Sequence, residues 1–380
     1  MTRREYRICN NCIMDTSDSN ITFDERGRCD YCQNYHNHIL PNWHPDEHGE
    51  KVLASAAEKI RKDGKGRDFD CILGISGGPD SSYAAYVAKE KMGLRPLLFH
   101  VDAGWNSQQA VRNIERLVDG LGLDLHTEVI NWEEMRDLQL AFFKAQVPDI
   151  DYPQDLAFFS ALYTYAVKHR IKYVLTGANF STECCREPEE WGAYPGIDTM
   201  LVRDIHRRFG KVPLKSFPMV DIIQYKLYYK YVLGMEVFMP LNHTRYVKKE
   251  AETHLADRFG WEPFDHKHHE SRFTRFYEDF WLPKKFGYER RRAHFSSLVM
   301  TKQMTRDEAL RRIAQPVLDD DFHAKEFEFV ARKLDLPVEE LRKLFEGENR
   351  TYHSYRNKRA LIGLGAKAMR WLGLERRLFR

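Results

Sequence analysis

Ile75-Ser76-Gly77-Gly78-Pro79-Asp80-Ser81-Ser82 separates an apolar run ending at Ile75 from an amphipathic one, Ser82-Tyr83-Ala84-Ala85-Tyr86-Val87. Two adjacent glycines let the backbone turn sharply and aim N–H groups at one point, where the start of the next helix adds positive potential. Ser76, Ser81 and Ser82 supply hydroxyl donors for phosphate oxygens, and Asp80 is suited to a Mg²⁺ ion bridging them. No Lys-Ser or Lys-Thr pair closes the loop as in a Walker A sequence, and the spacing is not that of a GxGxxG fingerprint. A Ser- or Asp-capped turn is the plainer alternative. Two glycines flanked by two serines and an aspartate exceed what capping requires.

Outward from this loop, short apolar runs alternate with longer amphipathic ones. Strands are expected over 71–75, 96–101, 125–130 and 173–175, and helices over 81–91, 107–121, 132–145 and 154–169. That alternation means βαβ units and a parallel sheet covered on both faces, with ligands beyond the carboxyl ends of its strands. A helix is expected over 51–62. Beyond about residue 225 the chain reads as helical, with helices over 248–259, 305–314, 324–334 and 338–345. Three units follow: residues 1–45, a cysteine module; 46–245, the nucleotide domain; and 246–380, a helical substrate or partner domain with a basic tail.

Cys9-x2-Cys12 and Cys29-x2-Cys32, sixteen residues apart, have zinc-ribbon spacing, with Asp24-Glu25-Arg26-Gly27 suited to the hairpin between them. Four thiolates complete a tetrahedral shell and leave no open position, so the expected Zn²⁺ is structural. An iron–sulfur cluster is the main rival. Cys71 reads as a buried strand residue and Cys184-Cys185 as core or surface thiols, although they follow a candidate site loop.

The segment Ser76-Gly77-Gly78-Pro79-Asp80-Ser81 resembles the SGGxDS signature of the PP-loop ATP pyrophosphatases. The resemblance implies an adenine nucleotide α-hydrolase-like fold, a Rossmann-like parallel sheet, and cleavage of ATP to AMP and pyrophosphate through an adenylated intermediate. It assigns ATP and Mg²⁺ to Ser76, Gly77, Gly78, Asp80, Ser81 and Ser82. It adds Asp102, at the end of Phe99-His100-Val101-Asp102, and Thr176 and Gly177 of Leu175-Thr176-Gly177-Ala178-Asn179. For Asp102 alone, a strand-end turn is an equally simple reading.

A second informative stretch is Lys267-His268-His269-Glu270-Ser271-Arg272-Phe273-Thr274-Arg275-Phe276, followed by Leu282-Pro283-Lys284-Lys285-Phe286-Gly287. On a helix, Arg272 and Arg275 would present two guanidinium forks on one side, suited to phosphate or carboxylate. The alternative is a solvated face with Phe273 and Phe276 in the core. Together with the cysteines, the SGGPDS loop and Ala293-His294-Phe295-Ser296-Ser297-Leu298, this pattern resembles the N-acetyl sugar amidotransferases of bacterial surface-polysaccharide (lipopolysaccharide, O-antigen) biosynthesis. One departure is Phe264-Asp265-His266, where an aromatic–glycine pair is expected.

What this likeness implies is conversion of an acetamido group on a nucleotide-linked sugar or sugar acid to acetamidino, with ammonia from a separate glutaminase subunit. Asp80, Lys267 and Arg272 become the expected catalytic set. Asp151, Asp155, Asn179, His268, Arg272, Arg275, Lys284 and Lys285 are expected at the substrate, with helix capping an alternative for Asp155. The chain begins Met1-Thr2, without the N-terminal cysteine of one glutaminase class, and shows no nucleophile elbow. The rival readings are a tRNA thiolase using Cys184 and Cys185 and a non-catalytic nucleotide-binding protein.

The 380 residues, 43% hydrophobic, suffice for a sizeable core. With 59 basic and 56 acidic residues the net charge is only +3, which argues against a nucleic-acid partner. The exception is residues 351–380, with eight Lys or Arg against Glu375. Its interleaved Leu, Ile, Met and Trp suit either a helix packed on its own domain or weak peripheral contact with an anionic membrane. The opening MTRREYRICNNC has no apolar segment of a secretory signal, and free cysteines suit a reducing compartment, so the cytoplasm is expected.

Overall fold

The computed structural model describes residues 5–317 and 320–373, apart from 193, 195 and 196. Five strands, β1 (Cys71–Gly74), β2 (Pro96–Asp102), β3 (Leu125–Val129), β4 (Tyr173–Leu175) and β5 (Glu236–Phe238), form one sheet in the order β3-β2-β1-β4-β5. Every pairing is parallel; Leu73 aligns with Leu98 on one side and Leu175 on the other. The expected doubly wound α/β architecture is therefore present. Strand order reverses at β1, whose neighbours are β2 and β4, so the crevice beyond β1 and β4 is the place for a ligand.

Alternation along the strands divides the core in two. Ile72, Phe99, Val101 and Val174 join Leu138, Phe142 and Leu156 on one face. Leu73, Ile75, Leu98 and Leu175 join Ala84, Leu117, Leu255 and Trp261 on the other. Leu255 belongs to the helix Lys248–Phe259. The first helix of the expected C-terminal unit thus shares the core of the sheet. Further apolar clusters surround the cysteine module and the C-terminal helices, the latter through Trp105, Phe273, Phe276, Trp281 and Phe327.

Helix boundaries follow side-chain chemistry. The helix Gln108–Leu121 starts where the Ser107 hydroxyl accepts from Ala110 N, and Trp132–Ala145 where Asn131 accepts from Glu133 N and Glu134 N. The helix Pro79–Tyr86 starts at a proline, whose missing N–H costs nothing there, and continues in wider turns over Val87–Lys91. The helix Arg291–Met300 falls in the stretch expected to be helical, whereas β5 interrupts that stretch and the helix Thr199–Phe209 has no counterpart among the expected elements.

Two features place the C-terminal chain over the strand ends. Trp261, almost fully buried, donates from Nε1 to Gly77 O at 3.0 Å, and Asn113 donates to Glu262 O at 2.8 Å. Ser107 N then donates to Glu270 O at 2.8 Å, and Arg272 N to Trp105 O at 2.9 Å. Residues 262–272 are thereby an arm laid across the loops that follow β1 and β2.

At the other end, Lys358 pairs with Asp221 at 2.5 Å and Arg359 with Glu189 at 2.5 Å. The helix Arg359–Trp371 beyond them has no buried residue, and Leu361, Leu364 and Trp371 are exposed. The first turn is anchored by these pairs, and further along one face Ile362, Ala366 and Met369 are half-buried. Residues 374–380 of the tail lie outside the described residues.

Trp261→Phe keeps an aromatic ring but removes the donor to Gly77. We expect a loss of about 1–3 kcal/mol in stability, read from the denaturation midpoint.

Candidate functional site

The loop after β1 adopts the conformation its glycines permit. Gly77 has φ +85°, and a Cβ there would lie 2.6 Å from Ala110 O. Ser76 and Ser81 place their hydroxyls 3.2 Å apart, and Gly78 N donates to Ser76 Oγ at 3.3 Å. Hydroxyls and N–H groups so converge on one concavity at a helix start, suited to a tetrahedral anion. Asp80, in the first helical turn, accepts from Tyr246 Oη at 2.5 Å and from Asn179 Nδ2 at 3.3 Å. Ser82 is fully buried and its hydroxyl has no partner among the described residues.

The loop after β4 meets it directly: a Cβ on Gly177 would stand 2.7 Å from Ser81 N. Asn179 caps the short helix Phe180–Glu183 through Thr182 N, and Thr176 Oγ1 accepts from Ala178 N at 3.3 Å. The Thr176–Asn179 turn therefore buttresses the first loop. Asp102 accepts from Gly104 N at 2.7 Å, a strand-end turn.

Beside these loops opens a cavity of about 980 Å³, lined by Ser76, Asn179, Lys267, His268 and Glu270 and by carboxylates from several segments. Asp151 is buried with both oxygens engaged, by Gln154 Nε2 at 3.0 Å and Thr274 Oγ1 at 2.7 Å. It pins the arm. Asp155 instead projects into the cavity, reachable by solvent yet enclosed, and burial raises its pKa. Burial pushes Asp149 up to about 7, against the pull of Arg290.

The cavity's cations are paired. Lys267 meets Glu183 at 2.5 Å; against the cost of burial, Glu183 and then Asp80 hold it charged. Arg290 bridges Glu278 at 2.9 Å and Glu187 at 3.4 Å. His268, with φ 65°, meets Glu278 at 2.9 Å; Glu278 overcomes burial to raise the imidazole to about 9. Glu278 itself lies near 2, because His268 and Arg290 outweigh its burial. His294, its ring 5.3 Å from that of His268, is driven the other way by burial and by Lys267 and so is neutral.

The arm brings in one group that sequence reasoning missed. A Cβ on Gly78 would sit 1.7 Å from Glu270 Oε1, so this carboxylate rests against the loop; burial first, then Asp80, raises its pKa. Glu183, Glu187, Glu278, Arg290, Asp149 and Tyr246 were missed as well. They come from separated segments, and none stands in a local motif.

Several expected residues are elsewhere. Arg272 and Arg275 present their forks on one side, but both to Glu326, at 2.5 and 2.9 Å, and lie over the rings of Phe329 and Phe322. Phe273 and Phe276 are in the core. Lys285 caps a helix end by donating to Phe345 O and Gly347 O at 2.7 and 2.6 Å, and Lys284 is exposed away from the cavity. Arg272, Arg275 and Lys285 hold the C-terminal helices together rather than reach the cavity, because their partners lie some fifty residues or more downstream.

Cys9, Cys12, Cys29 and Cys32 are buried with their sulfurs within 4.8 Å of one another. Separations of 3.8, 3.5 and 3.7 Å suit a tetrahedron with metal–sulfur bonds of about 2.3 Å. Backbone N–H groups of Asn11, Met14 and Cys29 point at Cys9 and Cys12 Sγ, as thiolates require. The cluster fits one structural ion. The hairpin between the pairs is built as expected, with Gly27 N donating to Asp24 O.

Residues 270–369 match the family model described as LPS biosynthesis protein WbpG-like, C-terminal domain. The match begins at Glu270 and spans the outer wall of the cavity, including Thr274, Glu278, Arg290 and His294. A comparison with curated proteins finds no match. Among solved structures, an NMN synthetase from Francisella tularensis aligns at 15% identity over 76% of this chain and 97% of its own, TM-score 0.36. An NH3-dependent NAD synthetase from Campylobacter jejuni aligns at 16% over the same shares, TM-score 0.32.

Gly77→Ala should weaken any anion bound in this concavity at least about tenfold, since the strained φ and the clash with Ala110 distort it; equilibrium titration of both proteins with ATP checks this. The His268–Glu278 pair sets a pH window. With its pKa raised from 6.5 to about 9, His268 contributes stability that is full below pH 6.5 and lost as pH rises through 9. Glu278 contributes stability present above pH 4.5 and lost as pH falls through about 2. Thermal midpoints should therefore fall between pH 6.5 and 9, and Glu278→Gln should flatten that fall.

Proposed function

We propose that this protein is an ATP-dependent amidotransferase, AMP-forming, that converts an acetamido group on a nucleotide-linked sugar or sugar acid to acetamidino during lipopolysaccharide biosynthesis. One observation carries the reading: a glycine loop with converging N–H and hydroxyl groups, at the switch point of a parallel sheet, opens onto a carboxylate-lined cavity, part of whose wall lies in the stretch similar to an LPS-biosynthesis domain. ATP supplies an AMP group that turns the amide oxygen into a leaving group. The amide oxygen attacks the α-phosphorus and pyrophosphate departs. Ammonia then adds to the imidate carbon and AMP leaves, so NH replaces O.

Such chemistry needs positioning and charge neutralisation rather than a protein nucleophile. In this reading Ser76, Gly77, Gly78, Ser81 and Ser82 cradle the phosphates, with Thr176 and Gly177 bracing them and Asp102 on the adenosine side. Asp80 holds Mg²⁺, oriented by Tyr246 and Asn179. Lys267 neutralises charge at the reacting phosphorus. Asp155 and Asp149 accept hydrogen bonds from sugar hydroxyls, with His268 close by. The four cysteines hold a structural Zn²⁺. Ammonia comes from a glutaminase partner, and the reaction is cytoplasmic.

Thiolation is disfavoured by Cys184, whose thiol donates to Ser297 O and is pushed up to about 12 by burial. It is no thiolate at neutral pH.

Nucleotide-linked N-acetyl sugars incubated with the protein, ATP, Mg²⁺ and ammonium should lose the mass difference between O and NH and release pyrophosphate. Asp80→Asn should cut kcat by about 10²–10³-fold, whereas Cys184→Ser with Cys185→Ser should retain turnover. Mass spectrometry that finds no altered sugar would overturn the assignment.

A further inference from the structure

The cysteine module does more than append a metal to the chain. Four of its residues, Asp18, Asn20, Tyr31 and Asn34, line the same cavity as Asp155 and Lys267. Both segments that carry them are set by the cysteines. Tyr31 lies between Cys29 and Cys32, and its hydroxyl donates to Asp18 Oδ2 at 2.9 Å. Asp18 is fully buried and its Oδ1 accepts from Asn20 N at 2.9 Å, which fixes the turn bearing Asn20. Asn34 ends the short helix Asp30–Asn34, which contains Cys32.

The module is also bolted to the body around the cavity. Arg306 donates to Cys9 O and Cys12 O at 2.8 and 3.1 Å, and Arg292 pairs with buried Asp15 at 3.0 Å. Ser19 donates from N and Oγ to Glu190 at 2.6 Å, and Trp191 packs among the cysteines. The segment Phe180–Trp191, which carries Glu183 and Glu187 to the cavity, is therefore held between the module and the helix Arg291–Met300, where Cys185 N donates to Ser297 Oγ at 2.9 Å.

We infer that the four-cysteine module is the specificity wall of the acceptor side of the cavity, with Asn20 and Asn34 recognising a polyhydroxylated, sugar-class occupant, and that its metal holds that wall in place. An amide offers a donor and an acceptor at fixed spacing, which suits neighbouring hydroxyls. The identity of the occupant rests on the proposed function; the coupling of the metal to the wall does not.

The test has two arms on the full chain. In the first, Asn34→Ala and Asn20→Ala raise KM for a nucleotide-linked N-acetyl sugar about tenfold, with KM for ATP and the thermal midpoint unchanged. In the second, chelation of the wild-type protein accelerates hydrogen exchange in residues 180–191 as well as in 5–39, leaves 75–82 and ATP binding intact, and is reversed by zinc. Unchanged sugar KM in both variants refutes the recognition role. Exchange confined to residues 5–39 refutes the coupling, and this arm reads out even if no sugar is turned over.

Discussion

Close approach at the glycines of the first loop is the constraint from which the site follows. Gly77 takes a backbone conformation that costs an ordinary residue about 1–2 kcal/mol, and its carbonyl receives the indole of Trp261. Gly78 lies so near Glu270 that any side chain would displace the arm. The sheet thus fixes the loop, the loop fixes the arm, and the arm delivers Lys267, His268 and Glu270 to the cavity. Stability and function share these contacts.

The cavity's electrostatics follow from where its charges come from. Buried ions are tolerated only when paired, and here Lys267, Arg290 and His268 each have a carboxylate within 3.4 Å. Burial, and after it the neighbouring acids, raises the proton affinity of Asp149 and Asp155. An enclosed space of this kind favours hydroxyl and ammonium-like groups over bare anions. The converging hydroxyl and N–H donors are segregated to the glycine loop at one end.

Sequence periodicity reveals most of the sheet because β1, β2 and β4 are apolar on both faces, as central parallel strands must be. The edge strand β5 is only Glu-Val-Phe, without the length or burial to stand out. The glycine loop and the cysteine cluster are legible because their geometry is local, set by spacing within a few residues. The acidic cavity is not, since Asp149, Glu183, Glu270 and Glu278 meet only through the crossing of the arm. Arg272 and Arg275 show the converse error: their shared helical side is visible in the sequence, but Glu326, which occupies both forks, lies more than fifty residues away.

The position of Glu270 has a consequence for what the loop admits. A concavity of N–H and hydroxyl groups attracts phosphate, yet Glu270 leans on one rim and Asp80 stands in the adjoining helical turn. A naked polyphosphate would meet repulsion from both. The same chain escorted by a divalent ion would find two oxygen ligands instead. If the loop holds a nucleotide as proposed, this rim favours its metal chelate over the free anion.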